Sequence, residues 1–255
     1  GAVICEGEYT LYEYIKDKKI VKGLYLKKKE KEIIFGGHRP FIEDINSLPF
    51  PAFHKIDIKK YNVPIKKRMP VSTIITSRGC PFKCIFCFHS LGNMFRPRSP
   101  KNVVDEIEWQ KDNFKIREIC IQDDNISLDI NRAKQIFSGI IEKKLNIMFQ
   151  LYNGIRVDMV DETLLRLMKK AGLWLMNVSP ESGDCESIKL MEKGFDKEIV
   201  KKVIKISKGM GFFTYSNFMI GFPWETEEHI MRTIDFAAEL DTDMVQFARV
   251  IAFPK

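Results

Sequence analysis

The chain has no run of about 18 uncharged apolar residues, which excludes a transmembrane helix on length alone. Its opening, GAVICEGEY, lacks the basic and apolar regions of a signal peptide, so a cytoplasmic location is the expectation. A disulfide framework is also missing: of six cysteines, Cys5, Cys120 and Cys185 are scattered and the other three crowd into one octapeptide. No basic stretch is interleaved with aromatics. The net charge of +7 comes from lysines spread along helix faces and short runs such as 27 to 29, which argues against a nucleic-acid partner. With 45% hydrophobic and 29% charged residues over 255 positions, disorder is excluded and one large core or two small ones can be buried.

What is present is the octapeptide CPFKCIFC, which sets the thiols of Cys80, Cys84 and Cys87 around one metal centre and leaves a fourth position unsupplied. Thiolates are the usual ligands of iron–sulfur clusters, and a cubane held by three cysteines keeps one iron open to something that is not protein. Structural metal sites are normally closed. Three other readings of the same residues stand beside this one: a zinc knuckle completed by His89, an electron-transfer cluster completed by a remote cysteine, and cysteines that are merely buried. Cys120, inside the apolar run IREICIQ, reads as a small buried thiol rather than a fourth ligand.

From residue 71 onward, apolar β-rich runs alternate with amphipathic helical segments. Strands are expected near 71 to 77, 116 to 122, 147 to 152, 173 to 179, 213 to 221 and 244 to 250. Ser99 caps a helix from Pro100 to Phe114 that places Val103, Val104, Ile107 and Phe114 on one face. Ile130, Ala133, Ile136, Phe137, Ile140 and Ile141 recur at helical spacing, as do Leu164, Leu165, Met168 and Ala171 before a stop at Gly172. Thr226 opens a last helix with Ile230, Ile234, Ala237 and Ala238 expected on its buried face. Such alternation implies an α/β fold with a parallel sheet, a (β/α)6 partial TIM barrel over 71–255. In such sheets ligands gather at the carboxyl ends of strands, and the cysteine loop follows the first strand. Residues 1–70 predict a short α/β remnant, with a helix over Tyr9 to Asp17, a hairpin over VKGLYLKKKEKEIIFGG, and a proline-rich connector lying on the barrel.

The CxxxCxxC spacing with Phe86 before the last cysteine resembles the signature of the radical S-adenosylmethionine (SAM) superfamily. The resemblance implies a [4Fe–4S] cluster whose open iron chelates SAM, reductive cleavage to a 5′-deoxyadenosyl radical, and hydrogen abstraction from an unactivated carbon of a small-molecule substrate. It implies a reducing partner such as flavodoxin or ferredoxin. Phe86 is then expected near the adenine, and Asp123, Asp124 and Asn125 after the second strand near the SAM amino group. Asp-Asp-Asn is also an ordinary turn sequence. Glu181 and Ser182 match the ribose-contacting end of the fourth strand, and Ile220 and Gly221 the adenine-contacting end of the fifth. The match is loose in places: Ser179 and Pro180 precede Glu181, Asn217, Met219 and Trp224 replace motif residues, and Glu225 stands one residue late.

Four stretches, VICEGEYTLYEYI, FIEDINSLPFPAF, NGIRVDMVDETLLRLMKKAG with SPESGD, and MIGFPWETEEHI, are similar to the cobalamin-binding subgroup of that superfamily. Its Asp-x-His-x-x-Gly motif is absent, since none of His38, His54, His89 or His229 has that context. The chain therefore reads as a fragment of a longer protein, with residues 1–70 the end of a cobalamin-binding domain plus connector and 71–255 the barrel. Cobalamin is expected in the full-length protein, with methylation or oxidative cyclisation as its chemistry. An electron carrier or a zinc-binding module would leave the barrel pattern unexplained.

Overall fold

The computed structural model describes residues 1–29 and 32–252. The chain starts with strand β1 (Ala2–Val3) and helix α1 (Glu8–Asp17), then a hairpin of β2 (Leu24–Lys29) and β3 (Glu32–Phe35). β2 lies between β1 and β3 and is antiparallel to both. The centre of the expected charged turn, residues 30 and 31, lies outside the described residues. The connector carries only 3-10 turns among the described residues, and it lies on the barrel as expected: Phe50 and Phe53 pack on Trp109, and Phe53 also meets Phe114.

The remainder runs β4 (Val71–Ile74), β5 (Ser77–Arg78), β6 (Arg96–Pro97), α2 (Pro100–Phe114), β7 (Glu118–Ile121), α3 (Ile130–Glu142), β8 (Met148–Ile155), α4 (Glu162–Ala171) and β9 (Leu173–Glu181). It continues with α5 (Cys185–Leu190), α6 (Lys197–Gly209), β10 (Phe213–Ile220), α7 (Glu227–Glu239) and β11 (Met244–Arg249). One sheet contains β4, β7, β8, β9, β10 and β11 in that order, each pair parallel. Strand order equal to chain order, with a helical crossover every time, curls such a sheet into a partial barrel with helices outside. α6 is an element that the sequence reading did not name, although Val200, Val203 and Ile204 recur at helical spacing and are buried.

Local chemistry sets the boundaries. Ser99, Asp129 and Asp161 each accept a backbone N–H from the first turn of α2, α3 and α4, and Pro100 occupies the first helical position of α2. Gly172 ends α4 with φ +108, where a side chain would strike the Ile147 carbonyl at 2.3 Å. α7 departs from expectation. Its buried residues are Thr233, Phe236 and Ala237, whereas Ile234 is 40% exposed and Ala238 is exposed. The helix is turned by two contacts: the Phe236 ring stands edge-on to Phe218, and Thr233 Oγ1 accepts from the Gly183 N–H.

Strand alternation divides the sheet into two faces. Ile119, Ile121, Phe149, Leu151, Met176, Val178 and Phe218 join the core under the helices. Their neighbours Cys120, Gln150, Tyr152, Asn177, Ser179, Tyr215 and Asn217 therefore face the barrel interior, which is mostly polar.

Candidate functional site

The cysteine loop leaves the barrel at the carboxyl end of β4 through a narrow neck, the antiparallel pairing of β5 with β6. Two glycines make the neck possible. Gly79, at φ +82, passes so close to Met94 that a Cβ would lie 2.2 Å from its carbonyl oxygen, and at Gly92, φ +83, a Cβ would meet the Phe41 ring at 2.6 Å. The Cys80 N–H donates to Gly92, the Cys87 N–H to Cys84, and the Ile85 N–H to Met191 beyond α5. The loop is thus strapped to itself and to the far side of the barrel.

A buried charge cluster grips both ends of the neck. Glu6 accepts from Arg78 at 2.6 Å, from Arg96 at 2.8 Å and from the Ile42 N–H at 2.6 Å, while Arg78 also reaches Glu8 at 2.6 Å. The Arg96 guanidinium lies over the Phe41 ring. Glu6, Glu8, Phe41 and Ile42 stand in stretches already noted, but nothing in the sequence pointed to Arg78 or Arg96: Glu6 and Arg96 are 90 positions apart and only the fold joins them.

Cys80, Cys84 and Cys87 line one cavity of about 170 Å³ together with Phe82, Phe86, Asp124, Arg156, Glu181 and Lys193. Its floor is made by the ends of β8 and β9, including Asn153, Gly154 and Ser179. Burial and the neighbouring thiols push Cys87 upward, and burial, opposed by a backbone hydrogen bond, does the same to Cys80. The site alone thus favours the neutral thiols, and a bound metal cation would favour the thiolates. Among the described residues no three of His, Cys, Asp and Glu converge as ligands of a single metal ion. His89 is not among the lining residues. A cubane takes a separate iron for each cysteine, so thiols gathered on a common cavity without meeting at one point fit that group.

The remaining candidates divide sharply. Asp124 lines the cavity, with Oδ2 accepting from the Gly79 N–H at 3.0 Å. Glu181 also lines it, at φ +67, with Oε1 accepting from Lys193 at 2.7 Å. Burial pushes the Glu181 carboxyl up, and Lys193 opposes the shift. Phe86 packs against Phe222 and lies under the Lys193 ammonium.

Asp123, Asn125, Ser182, Ile220 and Gly221 do not line the cavity. Asp123 is buried and accepts from the Thr76 N–H and hydroxyl and the Ser77 hydroxyl, all at 2.5 Å, so it ties the segment leaving β7 to the link between β4 and β5. Asn125 closes a turn onto Ser127, as the sequence of the segment allows. The Ser182 hydroxyl shares a hydrogen bond with Thr233 and accepts from the Asp184 N–H. The Ile220 carbonyl accepts from Val250, and the N–H groups of Gly221 and Phe222 both donate to Glu225. Trp224 stacks on Phe222 and donates to Ser187. Cys120 is buried in the barrel interior, away from the lining cysteines, with its thiol pushed up to about 12 by burial.

Arg156 and Lys193 are cavity residues that sequence reasoning missed. Arg156 lies 3.6 Å from the Phe82 ring centroid and donates to Asp158 and to the Lys193 carbonyl. Arg156 stands in the stretch NGIRVD already noted, whereas no spacing pointed to Lys193, which α5 and its following turn carry back to Glu181.

Residues 74–237 match the family model described as the Radical SAM superfamily. The chain is 30% identical to an uncharacterized methyltransferase of Pyrococcus horikoshii over 98% of its own length and 55% of that protein. It is 31% identical to the cytidylyl-2-hydroxyethylphosphonate methyltransferase of Streptomyces wedmorensis over 80% of the chain and 41% of that protein. The chain thus spans about half the length of the curated relatives it matches. Among solved structures, the radical S-adenosylmethionine methyltransferase TsrM of Kitasatospora setae aligns with a TM-score of 0.74 at 18% identity, covering 96% of this chain and 50% of that one. At that identity the likeness is one of fold.

Proposed function

The chain belongs to the radical SAM superfamily, and on that premise we propose that Cys80, Cys84 and Cys87 hold a [4Fe–4S] cluster whose open iron binds SAM. The supporting observation is the gathering of the three thiols, Asp124, Glu181 and Phe86 around one cavity at the carboxyl ends of the strands. When bound, the cluster and SAM supply one-electron cleavage chemistry that ends in hydrogen abstraction from an unactivated carbon.

The lining residues suit a zwitterionic sulfonium ligand. Asp124 offers a carboxylate to its ammonium, and Arg156 and Lys193 are the cations that the lining offers to its carboxylate. Glu181, held by Lys193, offers an acceptor to vicinal hydroxyls. Phe86, braced by Phe222, offers an apolar face to the adenine. Asp123 positions rather than binds, because its oxygens already serve Thr76 and Ser77.

Methylation is the reaction we assign to the whole protein, supported by the two methyltransferase relatives. None of the four histidines lines the cavity; Nδ1 of His229 takes the Thr226 N–H and His38 packs on Phe35. Cobalamin would be held by other parts of the protein, with residues 1–70 joining that part to the barrel. No helix of the described residues is long and apolar enough to cross a membrane. A reducing cytoplasm with a flavodoxin or ferredoxin donor is the setting such chemistry needs.

The test is anaerobic reconstitution with iron and sulfide, followed by electron paramagnetic resonance of the reduced protein with and without SAM. A [4Fe–4S] signal that SAM perturbs is expected. A SAM-insensitive signal would favour an electron carrier, and uptake of zinc in place of iron would overturn the assignment.

A narrower expectation concerns Asp124→Asn, which keeps an acceptor for the Gly79 N–H and removes the charge. It should weaken SAM binding by about tenfold or more with iron content unchanged. Unaltered affinity in a titration calorimeter would leave Asp124 only its tether to the neck.

A further inference from the structure

At the end of the barrel opposite the cavity, where the strands begin, cations from four segments of the chain meet. The segment leading into β4 carries Lys67 and Arg68, whose N–H groups both donate to Glu118 at the foot of β7. Arg68 Nη1 reaches the Asn146 carbonyl at 3.4 Å, which brings it to the link between α3 and β8 and so to Lys144. The Arg117 N–H donates to the Pro70 carbonyl, which sets Arg117 beside the same segment. Lys67 lies over the Trp174 ring, Trp174 meets Phe213, and Lys169 lies over the adjoining Phe212 ring. Burial and the nearby Lys67 hold the Lys169 ammonium below its ordinary value. Lys170 completes the last turn of α4.

None of these six cations has an ion-pair partner among the described residues. The carboxylate beneath them, Glu118, is buried and already taken by backbone N–H groups, Gln150 and Trp174. Elsewhere on the barrel, lysines are paired: Lys101 and Lys143 with Asp105, Lys134 with Asp161, and Lys201 with Glu198 and Glu239. The helix macrodipole accounts for Lys169 and Lys170 at the end of α4, but Lys67, Arg68 and Arg117 stand in front of strands, where no such dipole favours them. Like charges gathered without counter-charge repel one another in the free protein and suit a face that meets anions. Met69, between Arg68 and Pro70, adds an exposed apolar side chain to the same face.

We propose that this end of the barrel docks on an anionic membrane surface, with its cations against lipid phosphates and Met69 at the interface. Nucleic acid fits the face less well. The rings inside the patch, Trp174 and Phe212, are buried beneath ammonium groups and offer no face on which bases can stack. An acidic electron donor also fits less well, because the length of β8 puts the patch roughly 25 Å from the cysteine cavity. Docked in this way, the barrel points its cavity away from the bilayer, so the membrane holds the protein in place and leaves the cavity open. The proposal draws on the barrel alone and not on the cluster chemistry.

The test is flotation of the full-length protein with vesicles of phosphatidylcholine, with and without phosphatidylglycerol, at low and high salt. Binding that needs phosphatidylglycerol and fades with salt is expected. The combined variant Lys67→Gln, Lys144→Gln, Lys170→Gln should weaken it about a hundredfold. Lys101→Gln combined with Lys202→Gln and Lys205→Gln, on other parts of the helices, should leave it within about twofold. Equal flotation with both kinds of vesicle, or binding that the first variant leaves unchanged, overturns the proposal. Tighter binding to a duplex RNA than to the anionic vesicles at the same salt also overturns it, and would make the patch a nucleic-acid surface. Circular dichroism reports whether the triple variant folds; should it not, Lys144→Gln with Lys170→Gln, both at exposed positions, decides alone through a loss of about thirtyfold.

Discussion

Replacing any one of Cys80, Cys84 or Cys87 by Ala is expected to bring SAM cleavage to background while the barrel stays folded. The two halves of that outcome have different origins. Each thiolate would hold its own iron, so two cysteines cannot keep the cubane in place. The fold, by contrast, draws its burial from the apolar face under the helices, to which the three cysteines do not belong. The loop itself is held by backbone hydrogen bonds and by Gly79 and Gly92, none of which needs a cysteine side chain. Iron content, the reduced-state spectrum and production of 5′-deoxyadenosine check the first half, and thermal denaturation the second. Substantial cleavage in any of the three variants would refute the ligand assignment.

Glu6→Ala is expected to destabilise the protein by about 3–5 kcal/mol, the usual cost of stranding a buried partner charge. The Glu6 and Arg96 side chains are each only 3% exposed, so the Arg96 guanidinium would be left buried without its counter-charge, while Arg78 would keep Glu8 alone. The loss should also loosen the cluster loop, because Arg78 and Arg96 stand at the two ends of its neck. Faster iron release from the variant would accompany the lower denaturation midpoint.

The same carboxyl carries a pH dependence. Burial opposes its ionisation, but hydrogen bonds from Arg78, the Ile42 N–H and Arg96 outweigh burial and hold it below the ordinary value of 4.5. A depressed carboxylate contributes stability above its unfolded value and loses it as the pH falls through the folded one. Denaturation midpoints of the native protein and Glu6→Ala should therefore draw together as the pH falls below 4.5 and through the depressed folded value. A gap that persists unchanged into strong acid would show that lost packing, not charge, accounts for the difference.

Much of this was legible in the residues because the signals are local. The helix cap at Ser99 acts within three positions, the strands announce themselves by apolar runs, and the cysteine spacing brings its own chemistry. Where several local signals compete, the reading loosens. On α7 the sequence offers Ile234 and Ala238 to the core, but an aromatic contact between Phe236 and Phe218 and the Thr233 hydrogen bond turn the helix away from that face.

At the site, residue type alone could not separate neighbours. Asp123 and Asp124 are adjacent carboxylates, yet alternation on leaving β7 sends one into the Thr76 and Ser77 hydroxyls and the other to the cavity. The sequence by itself determined the alternating strands and helices, the loop of three thiols and its place after the first strand, because each depends on residues close along the chain. Tertiary structure decided which carboxylate reaches the cavity, that Lys193 returns to Glu181, and that Glu6 clamps Arg78 and Arg96. Those pairings join positions many residues apart, and their strength comes from a low-dielectric interior that exists only once the chain has closed.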